Sequence, residues 1–260
     1  MDRHGAAWLS LRYWERGSAM KTTDRWYSDR LRTDITVARW GTYGVPVLVF
    51  PTAGGDAEEV ERHKMVAHLV PLMEAGRAKV YSCDSVAGKA MAQGVGSPDY
   101  RLAMFNLFHQ AVAEEIIPAI HSDSGGSLPI VVAGASIGAF NSLAMISRYP
   151  HLINAAVCMS GTYAIEKFIG GRFTDDLYYS SPLHFLPGLE GSALHTLRQR
   201  MVVFASGSGA WEDVGESWAA AQVLGAKGVP NRVDDWGPAY EHDWPTWWEM
   251  LPLYLDDLLP

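Results

Sequence analysis

The sequence predicts an α/β fold, built on a mostly parallel sheet with helices on both faces. Three observations lead there. Short apolar runs rich in β-branched residues recur along the chain, each bounded by Gly, Pro or Ser. Helical periodicities separate most of them, and strand alternating with helix is the pattern of a parallel sheet. The middle runs are nearly continuously apolar, as strands covered on both faces must be. A length of 260 residues suits one such unit, since α/β folds often run to about 250 residues.

The predicted strands are Thr33–Trp40, Val45–Phe50, Lys79–Cys83, Leu128–Ala133, Asn154–Met159, Met201–Ala205 and Asn231–Trp236. Glu58–Glu74 is predicted helical, because Val60, Met65, Val66, Leu69, Val70, Leu72 and Met73 recur at helical spacing and Gly76 can end it. Tyr100–His121 is a second long periodic stretch, with Pro118 marking a kink or an end. Ala139–Tyr149, Val214–Lys227 and Pro245–Leu258 complete the helices. Residues 162–196 break the rhythm with Gly170–Gly171, Pro182 and Pro187, and read as an irregular excursion over the sheet. Residues 1–22 read as an N-terminal extension and 23–260 as a single domain. No internal repeat, linker or low-complexity tract stands out.

Composition narrows the function classes. Hydrophobic residues make up 48% and charged residues 19%, which excludes a largely disordered chain. Lys plus Arg number 21 against 29 Asp plus Glu, a net charge of −8. Such a surface repels nucleic acid and anionic lipid, and no Lys/Arg-rich run offsets it. No apolar stretch reaches the roughly 18 residues needed to span a bilayer. Residues 1–20 carry Arg3, Arg12, Glu15 and Arg16 and lack the apolar core of a signal peptide, and Met20 is an alternative start. Only Cys83 and Cys158 are present, each in an apolar strand-like run, so the sequence predicts a reduced, cytoplasmic setting without a disulfide.

The chemistry begins at Gly134-Ala135-Ser136-Ile137-Gly138, where a predicted strand runs into a predicted helix. A turn that sharp leaves no room for side chains at its flanks, so glycine is needed there. It lifts the Ser136 hydroxyl above the sheet edge and sets the positive end of the next helix beside it. Ser136 is therefore the candidate nucleophile.

In this arrangement the chain order is Ser, acid, His. Of nine histidines, His242 alone follows the last strand, on a loop able to reach the serine, and Pro245 then suits a first helical turn. His242 is the candidate base. The other histidines read as packing or surface residues. No His-Glu-x-x-His or Cys-x-x-Cys occurs, so no metal is expected.

The orienting carboxylate should follow Met201–Ala205, where Ser206-Gly-Ser-Gly-Ala-Trp leads to Glu212 and Asp213. Its task is to accept the imidazole N–H and fix the tautomer. Glu212 is preferred, with Asp213 the alternative, because Asp213 stands where the next helix needs an N-cap. One oxyanion N–H is expected from Ile137. The other comes from the loop after Val45–Phe50, with Ala53 preferred and Gly54 second. Trp211, Trp236, Trp244, Trp247 and Trp248 crowd near the acid and base in sequence. They read either as packing of the last helix or as an aromatic-walled substrate pocket, with Trp211 and Trp244 its candidates.

These residues resemble the α/β-hydrolase superfamily over roughly residues 25–258. The resemblance is to its esterase branch, which includes esterase D (S-formylglutathione hydrolase), feruloyl esterases and mycolyltransferases. It rests on Phe50-Pro-Thr-Ala-Gly-Gly55, Gly134-Ala-Ser-Ile-Gly-Ala139, Met159-Ser-Gly161, Asp175-Asp-Leu-Tyr-Tyr-Ser-Ser-Pro182 and Glu241-His-Asp-Trp-Pro-x-Trp247. It implies an α/β-hydrolase fold, Ser136 as nucleophile, His242 as base and no cofactor. The sequence departs from many relatives at the acid, where Gly207-Ser-Gly-Ala-Trp-Glu212 replaces an Asp soon after a single Gly.

The expected function is a serine carboxylic-ester hydrolase for small soluble esters, since no long helical insertion supplies a large lid. Three rivals stand beside it. An acyltransferase or thioesterase would use the same triad, and a non-catalytic binding protein could use the same scaffold. A haloalkane dehalogenase-type enzyme is disfavoured, because Ser136 rather than an Asp occupies the turn.

Overall fold

The computed structural model describes residues 21–127 and 130–260. Eight strands form one sheet in the order β1-β2-β4-β3-β5-β6-β7-β8. These are β1 (Lys21–Ser28), β2 (Thr33–Trp40), β3 (Val45–Phe50), β4 (Ala78–Cys83), β5 (Ile130–Ala135), β6 (Ile153–Met159), β7 (Met201–Ser206) and β8 (Asn231–Asp235). β2 runs antiparallel to β1 and β4, and every other pair is parallel. Parallel strands present their C-terminal ends to one edge. The register confirms this: Phe50 lies beside Gly134, Ala135 beside Met159, Met159 beside Ala205, and Ser206 beside Asp235.

The predicted strands are present, with ends moved by one or two residues. The run predicted from Leu128 starts at Ile130, with Leu128 and Pro129 outside the described residues, and extends to Ala135. β1 was not predicted. Its residues, Lys-Thr-Thr-Asp-Arg-Trp-Tyr-Ser, are mostly exposed on a sheet edge, so no apolar alternation marks it. Lys21 and Thr22, read as part of an N-terminal extension, belong to this strand; residues 1–20 lie outside those described.

The helix predicted over Glu58–Glu74 is two helices, α1 (Glu59–Arg62) and α2 (Met65–Glu74). Lys64 between them is left-handed at φ +65°. The His63 carbonyl, which would continue the ladder, instead accepts the Trp248 indole N–H at 2.7 Å. A short helix missed by periodicity, α3 (Val86–Ala92), follows β4. The long stretch around Pro118 forms α4 (Pro98–Ala111), a π-turn over Val112–Ile116, and α5 (Ile117–Ser124). A proline lacks an N–H and crowds the carbonyl four residues back, here Glu114, and the wider turn absorbs both defects.

α6 (Ile137–Arg148) follows β5 directly. The excursion after β6 is more ordered than predicted. It holds short 3₁₀ segments and the helices α7 (Asp175–Ser180), α8 (Pro182–Phe185) and α9 (Gly191–Leu197). Leu177, Leu186 and Leu197 are fully buried, and Asn106 of α4 donates to Asp176 at 2.8 Å, so these turns belong to the body of the fold. The last helices are α10 (Val214–Ala226) and α11 (Trp244–Leu258). None of the helices described is long and apolar enough to cross a membrane.

The core lies on both faces of the sheet. Along β3, Leu48 and Phe50 face the layer with Phe105, Phe108 and Phe140, while Val47 and Val49 face the layer with Leu69, Val70 and Leu251. This is the two-residue alternation of a strand covered on both sides. Each such side chain, fully buried, stabilises the fold by about 1.5–3 kcal/mol.

Candidate active site

Ser136 sits between β5 and α6 at φ +57°, ψ −120°. A non-glycine residue holds a positive φ only where its surroundings enforce it. Here its N–H donates to the Met159 carbonyl of β6 at 3.0 Å. The flanking glycines answer to backbone, not side chains. A Cβ on Gly134 would lie 2.5 Å from the Gly138 carbonyl, and one on Gly138 would lie 2.6 Å from the Phe50 carbonyl oxygen. The strand, the turn and the helix are packed too closely for any larger residue. The Ser136 side chain remains partly exposed at the C-terminal edge of the sheet.

Glu212 and His242 come from the loops after β7 and β8. The carboxylate Oε2 stands 3.7 Å from His242 Nδ1, and the Glu212 side chain is only 1% exposed. The two loops are laced together: Ser208 N–H to Gly237, Gly209 N–H to Tyr240 and His242 N–H to Ala210, each at 3.0 Å. A Cβ on Gly207 would lie 2.0 Å from the Tyr240 carbonyl oxygen, and one on Gly209 would lie 2.6 Å from it. The glycine-rich run Gly207-Ser-Gly209 is thus where the loop carrying Glu212 crosses the loop carrying His242. Among the described residues no hydrogen bond joins Ser136 to His242. Such bonds are often long before substrate binds.

Asp213 occupies the alternative position. Its side chain caps α10, accepting the Gly215 N–H at 3.0 Å. Asp243 caps α11 in turn, accepting from Trp244 at 2.7 Å. Around Glu212 stand three residues that the sequence analysis did not single out as site residues. Ser160 Oγ and Ser206 Oγ both donate to the carboxylate, and Trp247 Nε1 donates to Ser160 Oγ at 2.9 Å. Their sequence signal was position: Ser160 directly follows β6 and Ser206 ends β7, at the edge that carries Ser136. The His242 ring also meets Trp247 edge-on, with centroids 5.3 Å apart.

The loop after β3 lies at the same edge. Thr52 is fixed by the buried Glu59 carboxylate, which accepts both its N–H and its hydroxyl at 2.7 Å. Asp84 after β4 accepts the Ala57 N–H at 3.2 Å and the Thr36 N–H at 2.8 Å, which gives it a structural task. A Cβ on Gly88 would lie 2.9 Å from the Ala53 carbonyl oxygen, so α3 supports Ala53 at close range, whereas Gly54 has open space around it. Ile137 is the first residue of α6, where N–H groups have no intrahelical acceptor.

The tryptophans divide. Trp211 is 92% exposed, at φ +65° on the bend before Glu212. Trp244 stacks on His63 at 4.6 Å and meets Trp247 edge-on, and Trp248 stacks on His68 at 5.1 Å. Trp236 donates to Tyr254 at 2.7 Å. Four of the five therefore help seat α11.

No family model matches this sequence, and no curated protein is detectably similar to it. Solved structures are similar in three dimensions. A ferulic acid esterase superposes with a TM-score of 0.72 at 14% identity, over 92% of this chain and 96% of that one. An S-formylglutathione hydrolase from Agrobacterium tumefaciens gives 0.66 at 11% identity, covering 92% of each chain. MPT51 (FbpC1) of Mycobacterium tuberculosis gives 0.64 at 15%, over 90% of this chain and 97% of that one. At these identities the likeness establishes the fold of this chain, which is that of the α/β hydrolases.

Proposed function

We propose that the protein is a serine carboxylic-ester hydrolase for small soluble esters, working through an acyl-enzyme. One observation carries this reading. A strained, partly exposed serine at a strand-to-helix turn shares a sheet edge with a buried glutamate 3.7 Å from a histidine. Ser136 Oγ attacks the ester carbonyl while His242 takes its proton. Glu212 accepts from the imidazole and stabilises the imidazolium that forms. The N–H groups of Ile137 and Ala53 receive the tetrahedral oxyanion, a contribution of roughly 10²–10³ in rate per donor. His242 then protonates the leaving alcohol, and water, activated by the same imidazole, releases the acid and restores Ser136.

The neighbours named as esterases and hydrolases support this choice of chemistry over a binding role. The excursion consists of short helices packed into the core rather than a long helical insertion, which supports small substrates over lipid aggregates. Cys83 and Cys158 are both free and buried, in keeping with a reducing compartment such as the cytoplasm. The test is turnover of a short p-nitrophenyl ester. Ser136→Ala should abolish it while leaving the unfolding midpoint within a few degrees of wild type. Retention of a tenth or more of the wild-type rate in uncontaminated enzyme would refute the proposal.

A further inference from the structure

The Glu212 side chain is buried, and each of its carboxylate oxygens accepts a hydrogen bond from a serine hydroxyl. A carboxylate this buried must replace the water it loses with hydrogen bonds. Ser160 Oγ donates to Oε1, and Ser206 Oγ donates to Oε2 at 2.9 Å. The direction of the first bond is fixed by chemistry. An indole N–H can only donate, and a serine hydroxyl has one proton. Trp247 Nε1 lies 2.9 Å from Ser160 Oγ, so Ser160 accepts from Trp247 and spends its single proton on Glu212.

The backbone reinforces the arrangement. Ser160 adopts φ +46°, a conformation disfavoured for serine, and its N–H is bonded to the Ala205 carbonyl of β7 at 2.7 Å. Trp247 also abuts the His242 ring, so one indole contacts His242 directly and reaches Glu212 through Ser160. A glutamate has one more rotatable bond than an aspartate. Holding both oxygens removes that freedom and leaves Oε2 facing His242 Nδ1.

Resting on the reading of Ser136, His242 and Glu212 as a triad, we infer that Ser160, Ser206 and Trp247 are positioning residues: they clamp the Glu212 carboxylate so that Oε2 faces His242. The experiment is steady-state hydrolysis of p-nitrophenyl acetate by Ser160→Gly, Ser206→Ala and Trp247→Phe, each alone and combined with Glu212→Gln. Glycine at 160 suits the positive φ, so it removes the hydroxyl without adding backbone strain. Each single variant should lose about tenfold or more in kcat with KM within about twofold of wild type. On the Glu212→Gln background each should change kcat by less than about twofold, because the group it positions is already disabled.

Two results would overturn the clamp alone. One is undiminished kcat in Ser160→Gly and Ser206→Ala while Glu212→Gln is impaired. The other is an equal fractional loss with and without Glu212→Gln, which assigns these residues a purely structural role. Should Ser160→Gly not fold, the Trp247→Phe and Ser206→Ala cycles decide the same question. Full activity in Glu212→Gln itself would overturn the triad reading and the clamp together.

Discussion

Glu212 and Asp213 are adjacent carboxylates with different surroundings. Asp213 spends its oxygen on a helix cap, a bond worth about 1 kcal/mol. Glu212 is turned inward, bonded to two hydroxyls and within ion-pair range of His242. On the proposed mechanism, Glu212→Gln should lower turnover by orders of magnitude, because a neutral amide no longer stabilises the imidazolium. Asp213→Asn should leave it nearly intact, since asparagine also caps well. Kinetics of the two variants check this; the reverse order of damage would make Asp213 the acid. The helix cap at Asp213 was legible in the sequence because a capping position can be counted from the start of a helix. The bonds from Ser160 and Ser206 were not legible, because they join loops that only the parallel sheet brings together.

At the scale of elements, the loops that carry Glu212 and His242 cross, and on the proposed mechanism this crossing positions the pair. Gly207 is where they touch, and a methyl group there would lie 2.0 Å from the Tyr240 carbonyl oxygen. Gly207→Ala should therefore push the loops apart. We expect a loss of about 1–3 kcal/mol in stability and a fall in kcat larger than that of Asp213→Asn. Chemical denaturation and kinetics on the same preparation check it; an unchanged kcat would mean that the crossing does not set the geometry of His242. Periodicity reported these elements unevenly. Buried strands such as β5 and β6 announce themselves by continuous apolar sequence. β1 hides because an edge strand needs no apolar face. The break at Lys64 hides because its cause, the Trp248 indole on His63, lies 185 residues away.

For the molecule as a whole, strand order decides what can meet. Cys83 on β4 and Cys158 on β6 are three inter-strand steps apart, about 14 Å, twice the separation a disulfide tolerates. The same fold buries His109 against Phe105 and Phe140, with Nε2 3.0 Å from Asn141 Oδ1. Burial, with Arg148 alongside, pulls this imidazole down to about 3. The folded state thus leaves His109 neutral where the unfolded chain protonates it, near pH 6.5. Its contribution to stability is complete above that pH and is lost as the pH falls toward 3, at about 1.4 kcal/mol per pH unit. Urea unfolding between pH 6 and 4.5 should show a slope shallower by about that amount in His109→Gln. Equal slopes would contradict a buried neutral histidine.

The α/β alternation was readable from one sequence because it is local, and the elbow was readable because glycines mark it. The central claim is that this elbow carries a nucleophile. Its most direct test is covalent labelling with a fluorophosphonate, followed by intact mass and peptide mapping. One adduct per chain, located on Ser136 and missing from Ser136→Ala, is the expected result. An adduct on another serine, or undiminished labelling of Ser136→Ala, would contradict it.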